Sequence, residues 1–180
     1  MGHTSSAIVT TTAPATQSDF KKAEGSIASD LTKPFSPTEP DEALRMTMAQ
    51  RRVRSELFQR DVRTAYKRLC ALCGGSLVTP SEQYEVEAAH IIPRKENGSN
   101  DPRNGLALCR SHHWGFDRHL WTLRPDFHVL IPNQVALVTL NSPLLAHRGS
   151  KLRLPKDNRL EPAALALEYH RSKTLTEWGA

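Results

Sequence analysis

Apolar positions fall into a helical rhythm midway through the first half of the chain. Val53, Leu57, Phe58, Val62, Tyr66 and Leu69 recur at steps near three and four, the mark of a helix with one buried stripe. A helix is predicted over 41–69. Arg52, Glu56, Arg60, Arg63 and Lys67 recur in the same way on another face. Residues 84–92 alternate apolar and polar and then turn apolar, which predicts a strand. The run PRKENGSNDPRNG is a loop by composition. Residues 105–109 read as a short strand, and Ser111 is placed to cap a helix over about 112–120. Trp114, Trp121 and Phe116 are expected in the core. Short strands follow at 121–123, 127–131, 134–140 and 151–154, punctuated by Pro125, Pro132 and Pro155. A last helix is predicted over 161–174, with Pro162 in its first turn. Residues 1–40 carry Ser, Thr, Ala and Pro with no apolar period, and predict a disordered tail. The class is α+β, with a domain over 41–180 and its core at 68–120.

Composition narrows this picture. The chain has 180 residues, 38% hydrophobic and 6% aromatic, so its apolar core is modest and suits a metal staple. Three cysteines cannot all pair with one another, and their spacing suits thiolate ligands better than a disulfide framework. No signal peptide is evident, and no apolar run is long enough for a membrane span. The expected setting is intracellular and cytoplasmic, or nuclear in a eukaryotic source, with the oligomeric state open. Net charge is +5. The stretch 51–68 holds Arg51, Arg52, Arg54, Arg60, Arg63, Lys67 and Arg68 against Glu56 and Asp61, so it carries the whole excess. A basic face of this kind is either solvated or meets phosphates.

Two sets of chemistry-bearing residues are interleaved. Cys70 and Cys73 form C-x2-C, and Cys109 and His112 form C-x2-H. Two such half-sites suit one tetrahedral zinc ion, closed to water and therefore structural; buried free cysteines are the other reading. The second set is His90, Asn104, His113 and Asp117. A histidine titrates in the range of a general base, and the end of a strand aims it firmly. Asn104 can bind backbone across its loop or the histidine itself. His113 and Asp117 lie one helical turn apart and can share a divalent cation. His112 points about 100° away, so it can serve a different metal.

In order and spacing, EAAHIIP, NGLAL, CRSHH and FD resemble the HNH endonuclease motif, the ββα-metal fold, over Glu87 to Asp117. GSKLRLP and the YHR of the last helix are similar to the flanks of a zinc-binding branch of that family. The resemblance implies an HNH core stapled by zinc, with a basic helix before it and a strand and helix extension after it. It further implies metal-dependent hydrolysis of DNA, using Mg2+ or another divalent cation such as Mn2+. His90 would be the base, Asn104 the loop-positioning residue and His113 a ligand of the catalytic metal. Many members carry an aspartate just before the base, where this chain has Ala89. Glu87 projects to the same side of the strand as residue 89 and is a candidate metal ligand beside Asp117. Arg52, Arg60, Arg63, Lys67, Arg94, Lys95 and Arg103 are candidate DNA contacts, with solvated charge as the other reading of each. An inert zinc-stapled module that only binds nucleic acid is the alternative to the enzyme, and Ala89 is its reason.

Overall fold

The computed structural model describes residues 14–39 and 46–179. Its first element lies where the sequence predicts a tail. Helix α1, Gln17–Asp30, opens on a capping box between Thr16 and Asp19. Its Ala23 and Ile27 close a small apolar cluster with Val53 and Leu57 of the next helix. So few apolar residues show no period by themselves, yet they suffice because the neighbouring helix supplies the other half. Residues 1–13 and 40 of the expected tail lie outside the described residues.

Helix α2, Met48–Ala65, begins at a second capping box, Thr47 with Gln50. It buries Val53, Leu57, Phe58 and Val62, the stripe read from the sequence. It is shorter than the predicted 41–69. Residues 41–45 lie outside the described residues. At the other end Lys67 and Arg68 take φ of 55° and 58°, a left-handed turn that stops the helix and swings the chain toward Cys70.

Strands β1, Glu87–His90, and β2, Gly105–Leu108, pair antiparallel, with His90 opposite Gly105 and Glu87 opposite Leu108. The predicted strand over 84–92 is thus confined to its middle. Helix α2 lies close on this hairpin. A Cβ at Gly105 would stand 2.5 Å from Val62 Cγ2 and 2.9 Å from Phe58 Cζ, so only glycine permits the approach. Helix α3, Arg110–Asp117, follows β2 directly. Its N-cap is Cys109, not Ser111, and no side chain caps it. The start moves two residues upstream of the expected one, and the Cys109 sulfur faces other cysteines instead of the helix amides.

Strands β3, Thr122–Leu123, and β4, Val129–Leu130, form a second two-stranded antiparallel sheet. The strand expected at 134–140 is helical instead. Helix α4, Asn133–Ala136, starts behind Pro132, and a 3-10 turn follows at Thr139–Asn141. Leu137 and Leu140 are exposed there, so their apolar spacing marks no sheet face. Helix α5 is Ser142–Leu145. The strand expected at 151–154 is reduced to one bridge, His128 with Lys151. Helix α6, Ala164–Trp178, begins after its N-cap Ala163, so Pro162 precedes the helix. Phe116 and Trp121 are core residues as expected, whereas Trp114 is 60% exposed. Among the described residues, no helix is long and apolar enough to cross a membrane.

Candidate active site and metal centre

His90 ends β1 with its ring stacked on Phe58 of α2, the centroids 3.9 Å apart and the planes 15° apart. Its Nε2 stands 3.1 Å from Asn100 Oδ1. Burial is the main reason its pKa is pulled down to about 4; the Asn100 bond opposes this, and the charges of Arg94 and His113 add to it. The imidazole is therefore neutral at neutral pH, the state a proton acceptor needs.

Asn104 is fully buried. Its Oδ1 accepts from the Ile92 amide at 2.9 Å, and its Nδ2 donates to the carbonyls of Ile92 and Ser99 at 3.1 and 2.9 Å. Its carbonyl accepts from the Ile91 amide at 2.9 Å. Asn104 thus closes the loop onto the two residues after His90. Of the two roles open to it in the sequence, the structure places it on backbone, and Asn100 and Phe58 hold the imidazole. Neither of those two is marked by the motif. The signal that could have found Asn100 is the loop's composition, which holds Asn97 and Asn100 besides Asn104.

His113, in the first turn of α3, has a carboxylate at each ring nitrogen. Glu87 Oε2 lies 2.8 Å from Nδ1, and Asp117 Oδ2 lies 3.4 Å from Nε2. Glu87 also stands 3.5 Å from the Arg110 guanidinium. Ala89 is fully buried in the main apolar core and offers no ligand atom. The acidic group on that side of β1 comes from two residues upstream, as strand alternation allows.

Cys70, Cys73, Cys109 and His112 bring one ligand atom each to within 4.8 Å of one another. His112 Nδ1 lies 3.1 Å from the Cys109 sulfur and 3.5 Å from the Cys70 sulfur. The Gly75 amide donates to the Cys73 sulfur at 3.4 Å. Gly74 makes the turn at φ 73°, the left-handed region that favours glycine. Burial pushes all three thiols up and His112 down. Three sulfurs and one imidazole nitrogen converging on one point fit a closed tetrahedral metal site. Cys70 is buried beneath the cluster and Cys73 is exposed at its edge.

The candidate DNA contacts divide. Arg103 is consumed internally: it binds the Asp101 carboxylate at 2.6 Å and donates to the carbonyls of Lys33 and Asp30. Arg94 binds Glu39 at 2.8 Å and the Gly98 carbonyl. Both tie down the loop, Arg103 from a largely buried position and Arg94 with its side chain 42% exposed. Arg60 pairs with Glu24 and Asp61 at 2.7 and 2.8 Å, and Arg52 with Glu56 at 2.9 Å, all on the surface. Arg63 donates to the Gln59 carbonyl. Lys67 and Lys95 are exposed.

Residues 70–128 match a family model described as HNH endonuclease. No curated protein matches the chain. Among solved structures, the chain is similar to a modification-dependent TagI restriction endonuclease, with 26% identity and a TM-score of 0.50 over 67% of this chain. It spans 38% of the length of that structure. Residues 70–128, which hold β1, β2, α3 and the cysteine cluster, are thus the part of the chain that is similar to HNH endonucleases.

Proposed function

We propose that this chain is a metal-dependent endonuclease that hydrolyses DNA phosphodiester bonds, with His90 as general base. One observation carries the reading. A histidine is clamped by a ring stack and a hydrogen bond at the end of β1, and the helix packed against that strand sets a second histidine, His113, between two carboxylates. A divalent cation such as Mg2+ or Mn2+, held by His113 and Asp117, would neutralise charge on the scissile phosphate and the leaving 3′-oxygen.

The chain's own residues do the rest. His90 accepts a proton from the attacking water, a role typically worth 10²–10⁴-fold in rate. Asn104 keeps the loop closed beneath it. Glu87 accepts the Nδ1–H of His113, which turns Nε2 toward Asp117 and leaves its lone pair for the cation. The cysteine cluster, holding Zn2+, fixes the start of α3 and so the aim of His113. Lys67 and Lys95, with Arg52, Arg60 and Arg63 once their exposed partners exchange, meet backbone phosphates and give salt-dependent binding with little sequence information.

The burial of Ala89 favours one competing reading, an inert module that binds nucleic acid through the same scaffold. Supercoiled plasmid, plain and carrying modified bases, separates the two. With Mg2+ or Mn2+ the wild type is expected to nick or linearise it, and His90→Ala to lose about 100-fold or more of that rate. Equal inertness of both proteins across metals and substrates, with DNA binding retained, would establish the inert module.

A further inference from the structure

Asn100 and its surroundings form a continuous path from the N-terminal segment to the His90 ring. Asn100 is 3% exposed. Its side-chain oxygen meets His90 Nε2 at 3.1 Å, and its backbone amide donates to Glu39 Oε1 at 2.8 Å. Glu39 is buried, binds Arg94 at 2.8 Å and lies 3.7 Å from the Arg54 guanidinium. The backbone around Glu39 is fastened to the same loop. The Glu39 amide donates to the Asn97 carbonyl at 3.1 Å, and the Ser99 amide to the Pro37 carbonyl at 3.2 Å. The Ser99 hydroxyl donates to the Ser36 carbonyl at 3.0 Å. Residues 31–39 are therefore an arm laid along the loop that separates His90 from Asn104.

We propose that Asn100 is a positioning residue for His90, accepting its Nε2–H so that Nδ1 is the proton acceptor, and that Glu39 of the arm holds Asn100 in place. The inference rests on the reading of His90 as a base. An amide oxygen only accepts, so a ring nitrogen bonded to it must carry the proton, and the other nitrogen keeps its lone pair. The Phe58 stack fixes the plane of the ring, and the Asn100 bond fixes its rotation within that plane. Asn100 itself cannot drift without breaking the hydrogen bond that its backbone amide donates to a buried carboxylate, whose other partners are two arginines.

Long-range proton–nitrogen correlation spectra of the full chain, labelled with 15N-histidine, read the His90 tautomer directly. The wild type is expected to show Nε2–H. Asn100→Ala is expected to give a mixture of tautomers and to lower kcat by about 100-fold at unchanged KM for plasmid. Asn100→Asp keeps an acceptor and retains the Nε2–H form. Glu39→Ala is expected to mix the tautomers as Asn100→Ala does, and Glu39→Gln, which keeps an oxygen for the Asn100 amide, to stay near wild type. A wild-type His90 with its proton on Nδ1 overturns the proposal and needs no variant. An unchanged tautomer in a folded Asn100→Ala protein also overturns it. If the tautomers respond as expected but the wild type cleaves nothing, the nuclease reading fails and the positioning role falls with it, while the hydrogen bond stands.

Discussion

His113 has a carboxylate on each side of its ring, and the two do different work. The 2.8 Å approach of Glu87 to Nδ1 is a hydrogen-bond length, whereas the 3.4 Å between Asp117 and Nε2 suits two ligands on one ion. Asp117→Ala is therefore expected to raise the Mg2+ or Mn2+ concentration for half-maximal cleavage by about tenfold or more. Glu87→Gln, which still accepts Nδ1–H, is expected to change it far less. Metal titrations of both variants decide this, and the reverse order would put the ion on the Glu87 side. Motif order and spacing single out His90, Asn104 and His113 in the sequence, and they also pick out the Cys3His cluster that the structure brings together. Asn100, Phe58 and Glu39 are not singled out. What they touch is set by how α2 and the arm pack on the hairpin, and no local spacing encodes that. The internal partners of Arg94 and Arg103 were hidden for the same reason, since Glu39, Lys33 and Asp30 lie far upstream.

Among the elements, α1 is the largest departure from the sequence reading. It is held by a capping box and by Ile27 at 4% exposure. Ile27→Ala is expected to cost about 2–4 kcal/mol in urea unfolding, where a substitution in a loose tail would be nearly silent. Buried Arg54, which donates to Ser26 at 2.9 Å and lies 3.4 Å from Asp30, ties α2 to α1. The other element-scale joint is the cysteine cluster. Cys70 and Cys73 lie in the turn after α2, and Cys109 and His112 straddle the start of α3. If they hold zinc, a strong chelator is expected to lower the melting temperature sharply, and Cys109→Ser to do the same without chelator. A metal-free protein with an unchanged transition would show that the cluster is only packed thiols. Strand and helix types around the motif followed from pattern, but 134–140 did not. Its apolar residues lie on a surface turn, and periodicity alone cannot tell that from a strand face.

For the whole molecule, half-buried His90 and buried His170 make stability depend on pH. Burial pulls His90 down to about 4 and His170 down to about 3. His170 Nε2 donates to the Phe116 carbonyl at 3.1 Å, and Nδ1 lies 2.9 Å from the Thr122 hydroxyl. Its ring stacks on Phe116 at 3.6 Å. The unfolded chain takes up protons at these residues below about pH 6.5 while the folded chain does not, so stability falls as pH drops through that window. His170→Gln removes one of the two. The gap in unfolding free energy between wild type and variant is expected to shrink by on the order of 1 kcal/mol per pH unit between pH 6 and 4. Urea titrations at several pH values check this, and a constant gap would mean that His170 is not held neutral. The arm has a consequence in time. Glu39 and Asn100 lie 61 residues apart, so during synthesis the arm emerges first and waits roughly 3–12 s for the loop that it fastens. A nascent chain therefore carries His90 without its brace until Asn100 has been made and can meet both the ring and Glu39.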